Sequence, residues 1–268
     1  MNSCFVTISV VTYNSEKHIS ALLDSITTQI KGVDFHVYII DNASADITVQ
    51  IVRDYCESDE RITLIESRGN IGFGRAHNLV LERIDSHYHV IINPDITLKS
   101  DVITELCCYL DKREDIGLVT PKVLFPSGGL QILPKRDPRF IYLMSRRLNF
   151  KFLKKYRQQY EMSDRDMESP FDVDFCTGAF MFMRTSVYKQ VGGFDERYFL
   201  YFEDADITRK IRQLTRTEYN PNFVVYHHWE RFGKTQMKYM AIQMSSMVKY
   251  FVKWNNYQRQ VIKKKKDH

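Results

Sequence analysis

The feature that most constrains this chain is an alternation running through its first hundred residues. Short apolar, β-branched runs are each followed by a polar loop and then by a segment of helical periodicity. FVTISVV at 5–11 reads as a strand, and Ile19, Leu22, Leu23 and Ile26 then follow at helical spacing behind a candidate cap, Ser15. The pattern recurs in VYIIDNASADITVQIVRDY, where a strand ends at Asp41 and a helix starts near a second candidate cap, Ser44. ITLIES at 62–67 gives a third strand; GNIGFGRAHNLVLERI carries a glycine-bearing loop into a helix, ahead of the strand VIINPD at 90–95. Strands and helices alternating at this spacing require crossover connections, which build an α/β fold on a mostly parallel, doubly wound sheet. A helix near 100–110 and a strand near 117–124 complete this half.

In open α/β sheets ligands lie beyond the carboxyl ends of the strands. Thr12, Tyr13 and Asn14 follow the first strand, Asp41 and Asn42 the second, and Asn70, Gly72 and Arg75 precede the third helix. Asp95 puts a carboxylate where the apolar run VII stops. Each also has a plainer reading: Asn-Pro-Asp is good turn chemistry, and Ser15 and Ser44 are expected to act as caps. A carboxylate at Asp41 has the acceptor chemistry to take the ring N–H of uracil or thymine. Gly69, Gly72 and Gly74 do not match the dinucleotide spacing Gly-x-Gly-x-x-Gly, and no phosphate loop of the full form Gly-x-x-x-x-Gly-Lys-Ser/Thr is present. Hydride transfer and ATP hydrolysis lose ground accordingly.

The second half changes character. Residues 139–160 place Phe140, Met144, Leu148, Phe152 and Tyr156 four apart among Arg and Lys, as one basic amphipathic helix would, either on a membrane surface or against the core. VDFCTGAFMFMR at 173–184 reads as a strand with Gly178 and Ala179 small enough to admit a ligand. Downstream, Asp195, Glu196, Glu203, Asp204 and Asp206 crowd among aromatics where a helix begins. Acids suit a helix's first turn, but aromatic neighbours would desolvate them, which suits a general base. A strand then ends at His227 and His228, candidate metal ligands. Met237, Met240, Met244, Met247, Phe251 and Trp254 follow at helical spacing, expected to pack on the body, with a membrane or partner contact as the second reading; KKKKDH at the end is expected to be disordered.

Charge is uneven. Lys135 to Arg157 holds nine Lys or Arg against one acid, and Arg231 to the end holds ten against one, in a chain whose net formal charge is only +5. Such segments serve nucleic acid, anionic lipid or solubility, and charge alone does not choose. No recognition motif for nucleic acid accompanies them. No apolar run approaches bilayer-spanning length and the start lacks a secretory pattern, so a cytoplasmic location is expected. Five cysteines without paired spacing suggest reduced packing residues.

Taken in order, SVVTYNSE at 9–16, IIDNASAD at 39–46, GNIGFGRAHN at 69–78, INPD at 92–95, TGAFMFMR at 177–184 and GGFDERYFLYFEDADITRKIR at 192–212 form a specific set. Over roughly residues 5–235 the chain resembles the inverting glycosyltransferases of family 2, with the GT-A nucleotide-diphospho-sugar transferase fold, and within them the bacterial rhamnosyltransferase-like branch. The resemblance implies a glycosyltransferase domain over 1–235, its nucleotide-sugar half at 1–125 and its acceptor half at 126–235, then a C-terminal amphipathic helix and basic tail over 236–268.

It also implies roles. Thr12, Tyr13, Asn14, Glu16, Asp41 and Asn42 would hold the nucleoside. Asn70, Gly72, Arg75, Asn93, Gly178 and Ala179 would line the sugar nucleotide. The family's Asp-x-Asp motif stands here as Asn93-Pro94-Asp95, which leaves Asp95, with His227 or its neighbour His228, to hold Mg²⁺ or Mn²⁺. Asp204, paired with Glu203, would be the general base. The implied activity is transfer of a deoxyhexose, rhamnose from dTDP-rhamnose, to a polyprenyl-linked or growing surface glycan at the cytoplasmic face of the inner membrane. Transfer from another UDP- or GDP-sugar, nucleotide-sugar synthesis and noncatalytic sugar-nucleotide binding are the alternatives. Nothing in the sequence fixes the oligomeric state.

Overall fold

The computed structural model describes residues 4–147, 150–229 and 237–266. In chain order the elements are β1 (Phe5–Thr12), α1 (Ile19–Gln29), β2 (Asp34–Asp41), α2 (Thr48–Ser58), β3 (Ile62–Glu66), α3 (Phe73–Asn78), β4 (Tyr88–Ile92), β5 (Ile96–Thr97), α4 (Val102–Asp111) and β6 (Ile116–Leu124). There follow β7 (Leu130–Gln131), α5 (Phe140–Arg147), α6 (Lys154–Tyr160), β8 (Phe171–Asp172), β9 (Phe180–Arg184), α7 (Thr185–Gln190), α8 (Glu203–Ile211), β10 (Arg216–His227) and α9 (Met237–Lys266). One sheet runs in the order β3-β2-β1-β4-β9-β6-β10-β5. Its long ladders are parallel: β1 to β2 and β4, β2 to β3, and β6 to β10. Strand β9 enters antiparallel between β4 and β6 and joins the halves. The GT-A expectation is met by this mixed α/β architecture.

Two layers of core explain the sheet's continuous apolar strands. On one face Val6, Ile8, Val10, Val37, Ile39, Val90 and Ile92 pack with Leu22, Leu23 and Ile26 of α1 and Val102, Leu106 and Leu110 of α4. On the other, Val11, Ile40, Ile91, Met181 and Met183 pack with Ala76 of α3, Tyr188 of α7 and Ile207 and Ile211 of α8. A third, smaller cluster joins Phe175, Tyr198, Phe202 and Ala205 to Tyr250 and Trp254 of α9.

Several local expectations are corrected. The predicted helix over 139–160 breaks: Phe150 is extended (φ −80°, ψ 137°), and α5 and α6 fold back so that Tyr142 and Tyr160 pack with ring centroids 5.7 Å apart. Leu148 of that expected stripe lies outside the described residues. Only Phe180–Arg184 of the run 173–184 forms a strand. Upstream, the Cys176 and Gly178 N–H groups donate to side chains of α8, Thr208 Oγ1 and an Asp204 carboxylate oxygen, in place of a neighbouring strand. Neither predicted serine caps its helix. Helix α1 begins at Ile19 behind His18, Ser15 Oγ accepts from the Tyr13 N–H, and the Ser44 hydroxyl turns back to Asp41. Helix α9 continues through Lys266, so the lysine run expected to be disordered is helical as far as it is described.

Candidate active site

The loops after β1 and β2 are tied together before they meet any ligand. Thr12 and Asp41 end adjacent parallel strands, in register with one another. The Thr12 hydroxyl donates to Asp41 Oδ1 at 3.0 Å, the Ser44 N–H to Oδ2 at 2.9 Å and the Ser44 hydroxyl to Oδ1 at 2.5 Å. Both residues are buried. Asn14 Oδ1 accepts from the Ala45 N–H, and Glu16 Oε2 from the Ile47 N–H. Asn42 reaches the other way, accepting from the Ile71 N–H and donating to Asn70 Oδ1 and the Gly72 carbonyl. Gly72 is required there: its φ is +92°, and a Cβ would lie 2.3 Å from the Phe199 carbonyl oxygen.

These loops border a cleft of about 1140 Å³. Tyr13, Asn14, Glu16, Asn42, Asn70, Gly72, Asn93 and Asp95 all line it. Thr12, Asp41, Arg75, Gly178, Ala179, Glu203, Asp204 and His227 are not among its lining residues. Thr12 and Asp41 form the layer behind it. Arg75 pairs instead with Glu196 at 3.4 Å, both side chains largely exposed. The Phe73 ring lies 3.0 Å from where a Cβ of Gly178 would stand, so packing against that ring by itself calls for a glycine there. The Ala179 carbonyl accepts from the Asn93 N–H at 3.0 Å, fixing the turn that ends β4.

At that turn, Asp95 Oδ1 and His227 Nε2 are 3.2 Å apart. Both atoms are buried and neither has a hydrogen-bond partner, so the two stand close without a formed hydrogen bond, a contact that becomes an ion pair only when the imidazole is protonated. Two ligands on one cation at roughly 2.1 Å and a right angle would stand roughly 3 Å apart. The pair fits a divalent ion. Among the described residues no group of three or more His, Cys, Asp or Glu side chains converges. A cation bound by one carboxylate and one imidazole would complete its shell with water and ligand phosphate, as Mg²⁺ commonly does. His228 faces elsewhere: its N–H donates to the Asp95 carbonyl and its ring packs on His18 at 5.7 Å.

Helix α8 supplies the acids. Glu203 is buried and its Oε2 is unpartnered; burial and then the charge of Asp204 push its carboxyl well above the usual carboxylate range. Asp204 is pushed up to about 6, chiefly by burial, against the pull of N–H groups from Gly178 and Ala205 and the charge of Lys135. Tyr201 and Phe202, which lead into this helix, both adopt left-handed backbone at φ 68° and 69°. Two consecutive non-glycine residues held there store strain beside the acids. The other carboxylates of the cluster turn away: Asp206 accepts from Trp254 Nε1 at 2.9 Å and Lys253 Nζ at 2.7 Å, and Asp195 also pairs with Lys253 at 2.8 Å.

The Glycosyl transferase family 2 signature matches residues 7–192. This chain belongs to that family. Rhamnosyltransferase WbbL of Escherichia coli K12 is 27% identical over 233 residues, 83% of each chain. The N-acetylglucosaminyl-diphospho-decaprenol L-rhamnosyltransferase of Mycobacterium tuberculosis is 26% identical over 238 residues, 81% of this chain and 74% of the relative. Among solved structures, Staphylococcus aureus TarS 1–349 superposes with a TM-score of 0.59 at 20% identity, covering 83% of this chain and 60% of TarS. The mannosyltransferase PcManGT of Pyrobaculum calidifontis gives 0.60 at 21% identity, over 85% of this chain and 58% of its own. At those identities the two structures speak for the GT-A fold alone.

For a family 2 glycosyltransferase, part of the cleft comes from an unexpected direction. Lys238, Tyr239, Met240, Ile242 and Gln243, all from the first turns of α9, line it together with Trp229, Phe199 and Tyr201. Helical periodicity at 237–254 signalled an apolar face but not what that face would enclose. Gln131, in the two-residue strand β7, is the other residue sequence reasoning passed over. Its amide meets His227 twice: Nε2 donates to the His227 carbonyl at 2.8 Å and Oε1 lies 2.9 Å from His227 Nδ1.

Proposed function

We propose that this chain is an inverting, metal-assisted hexosyltransferase. Its leading donor is dTDP-rhamnose, and its acceptor is a lipid-linked or growing bacterial surface glycan. The observation that carries the reading is the buried, unpartnered pair Asp95 Oδ1 and His227 Nε2 at 3.2 Å, at the edge of a cleft lined by the strand-end loops. A bare carboxylate about 4 Å from a diphosphate oxygen would be repelled by about 4 kcal/mol at an effective dielectric near 20. Mg²⁺ or Mn²⁺ bound at the pair would reverse that sign and stabilise the departing nucleoside diphosphate.

In this reading Tyr13, Asn14, Glu16, Asn42 and Asn70 receive the nucleoside and sugar, with Thr12 and Asp41 bracing them from behind. Asp204, which does not line the cleft as it stands, acts as the base once the bound acceptor brings a hydroxyl within its reach. The acceptor hydroxyl oxygen bonds to the anomeric carbon while the carbon–oxygen bond to the diphosphate breaks with its electron pair, and the hydroxyl proton passes to the Asp204 carboxylate. Attack opposite the leaving group inverts the anomeric centre. Residues 1–125 serve the donor and 126–235 the acceptor, with α9 closing one wall. The decaprenol in the mycobacterial relative's name supports a lipid-linked acceptor. Docking at the cytoplasmic face of the inner membrane accords with the basic segments, and among the described residues no helix is long and apolar enough to cross a membrane.

TarS was solved with UDP-GlcNAc and PcManGT with GDP-Man and Mn²⁺, so those nucleotide classes belong in the test. Purified protein is assayed for donor hydrolysis and transfer with dTDP-, UDP- and GDP-sugars, with and without Mn²⁺, beside Asp204→Asn. The expected result is metal-stimulated release of nucleoside diphosphate from dTDP-rhamnose, lost in the variant. Donor binding without turnover, even with lipid-linked acceptor supplied, would overturn it.

A further inference from the structure

The neutral imidazole of His227 can carry its proton on either nitrogen, and only one of the two forms leaves a lone pair at Nε2. Its surroundings decide between them. Gln131 is buried in β7, which pairs with β6 through Val123 and Gln131 in one register position and Leu124 and Leu130 in the next. The Gln131 amide nitrogen donates to the His227 carbonyl at 2.8 Å, and a carbonyl can only accept. That bond fixes the orientation of the amide: turned over, its oxygen would face the carbonyl oxygen, two acceptors with no proton between them. The amide oxygen is therefore the atom 2.9 Å from His227 Nδ1, and an amide oxygen can only accept. Nδ1 must carry the proton.

We infer that Gln131 is a positioning residue that holds His227 in the Nδ1–H form through a closed two-bond brace. The bare Nε2 is thereby presented toward Asp95 Oδ1 before any cation arrives. The brace thereby leaves two buried acceptor atoms 3.2 Å apart with no donor between them, a costly arrangement that a bound cation would relieve. The same hairpin supports the cleft a second way, since Phe125, in the turn just after β6, stacks on Trp229 with centroids 6.4 Å apart. The inference rests on the metal reading of Asp95 and His227 for its purpose, though not for the tautomer itself.

Two measurements separate the layers. In metal-free protein with ¹⁵N-labelled histidine, at a pH where imidazole is neutral, long-range ¹⁵N–¹H spectra should show His227 protonated at Nδ1 and bare at Nε2. Gln131→Leu should release the proton to both nitrogens. A circular-dichroism spectrum and melting temperature matching the wild type guard against simple misfolding of the leucine variant. Mn²⁺ affinity, read from the free-ion electron spin resonance signal in the presence of dTDP, should fall about 10- to 100-fold in Gln131→Leu. Protonation at Nε2 in the wild type, or unchanged Mn²⁺ affinity in a folded Gln131→Leu protein, overturns the inference. An Nδ1–H wild type that binds no Mn²⁺ upholds the brace and removes the metal reading instead.

Discussion

Asp204 stands where chemistry and stability pull in opposite directions. A base must be ionised, yet burial lifts this carboxyl from its ordinary value of 3.8 to about 6. The folded state then binds a proton that the unfolded chain has already released, so stability is full below the unfolded value and is lost as pH rises through about 6. Glu203, raised further and in the same direction, adds to that slope. Turnover should accordingly rise through an acid limb near pH 6 while the melting temperature falls across pH 4 to 6. Asp204→Asn should lower kcat by about two to four decades and melt higher than wild type at neutral pH. A pH-independent kcat between 5 and 7 would remove Asp204 from the role of base. The acids Asp195 and Asp206, which sit beside it in the sequence, do not share its situation. Burial draws Asp195 upward, but hydrogen bonds from Arg197 and Lys253 carry it well below the usual carboxylate range. Two residues along a helix is more than half a turn, so Asp206 faces α9 and not the base.

Among the elements, α9 depends most on a single polar joint. Tyr250 and Trp254 are buried against α8, the Arg209 guanidinium lies 4.5 Å above the Trp254 ring, and the indole N–H ends on the fully buried Asp206. Trp254→Phe keeps most of the apolar contact but takes a donor from that carboxylate, at a cost of about 1–3 kcal/mol. Trp254→Ala should cost about 3–5 kcal/mol. Denaturant unfolding gives both numbers, and because Tyr239 and Met240 line the cleft on the same helix, the alanine variant should also raise the donor KM. An unchanged KM would mean that the first turns of α9 hold their place without this joint. What was legible in the sequence divides along the same line. The place of Asp95 was legible because the apolar run before it stops abruptly, and β4 ends at Ile92, just ahead of the turn that carries it. Helix α8 was legible from its acids and His227 from the strand before it. Gln131 was not, because a two-residue strand has no period to read. The cleft-lining role of α9 was not, because periodicity reveals an apolar face without naming the surface that covers it.

Over the whole molecule, two helical segments without a single acid come together. Residues 139–160 and 237–266 contain no Asp or Glu, and Leu143 of α5 packs into the cluster that also holds Met247 and Phe251 of α9. Both segments expose apolar side chains: Phe150 and Phe152 are 55% and 71% exposed with rings stacked 5.6 Å apart, and Met244, Val248 and Val252 lie on the side of α9 away from Ser246, Tyr250 and Trp254. A second copy of so cationic a surface would be repelled, whereas an anionic bilayer is complementary to it. Lys151, Lys154, Lys155 and Arg157 beside the phenylalanines would contribute about 1 kcal/mol each before screening. We predict flotation with anionic vesicles but not with zwitterionic ones, lost when Phe150 and Phe152 are both changed to Ser. Equal flotation of that double variant would exclude this corner as the anchor.

The position of α9 has one more consequence, in the order of synthesis. The strand-end loops that would greet the donor lie between residues 12 and 95, whereas the α9 part of the cleft begins at Lys238, well over a hundred residues further along the chain. Domains assemble from the amino end as the chain emerges. A nascent chain halted before Met237 would carry the strand-end loops and Phe199 to Tyr201 but lack the α9 side of the cleft, so the pocket is complete only once α9 has been made.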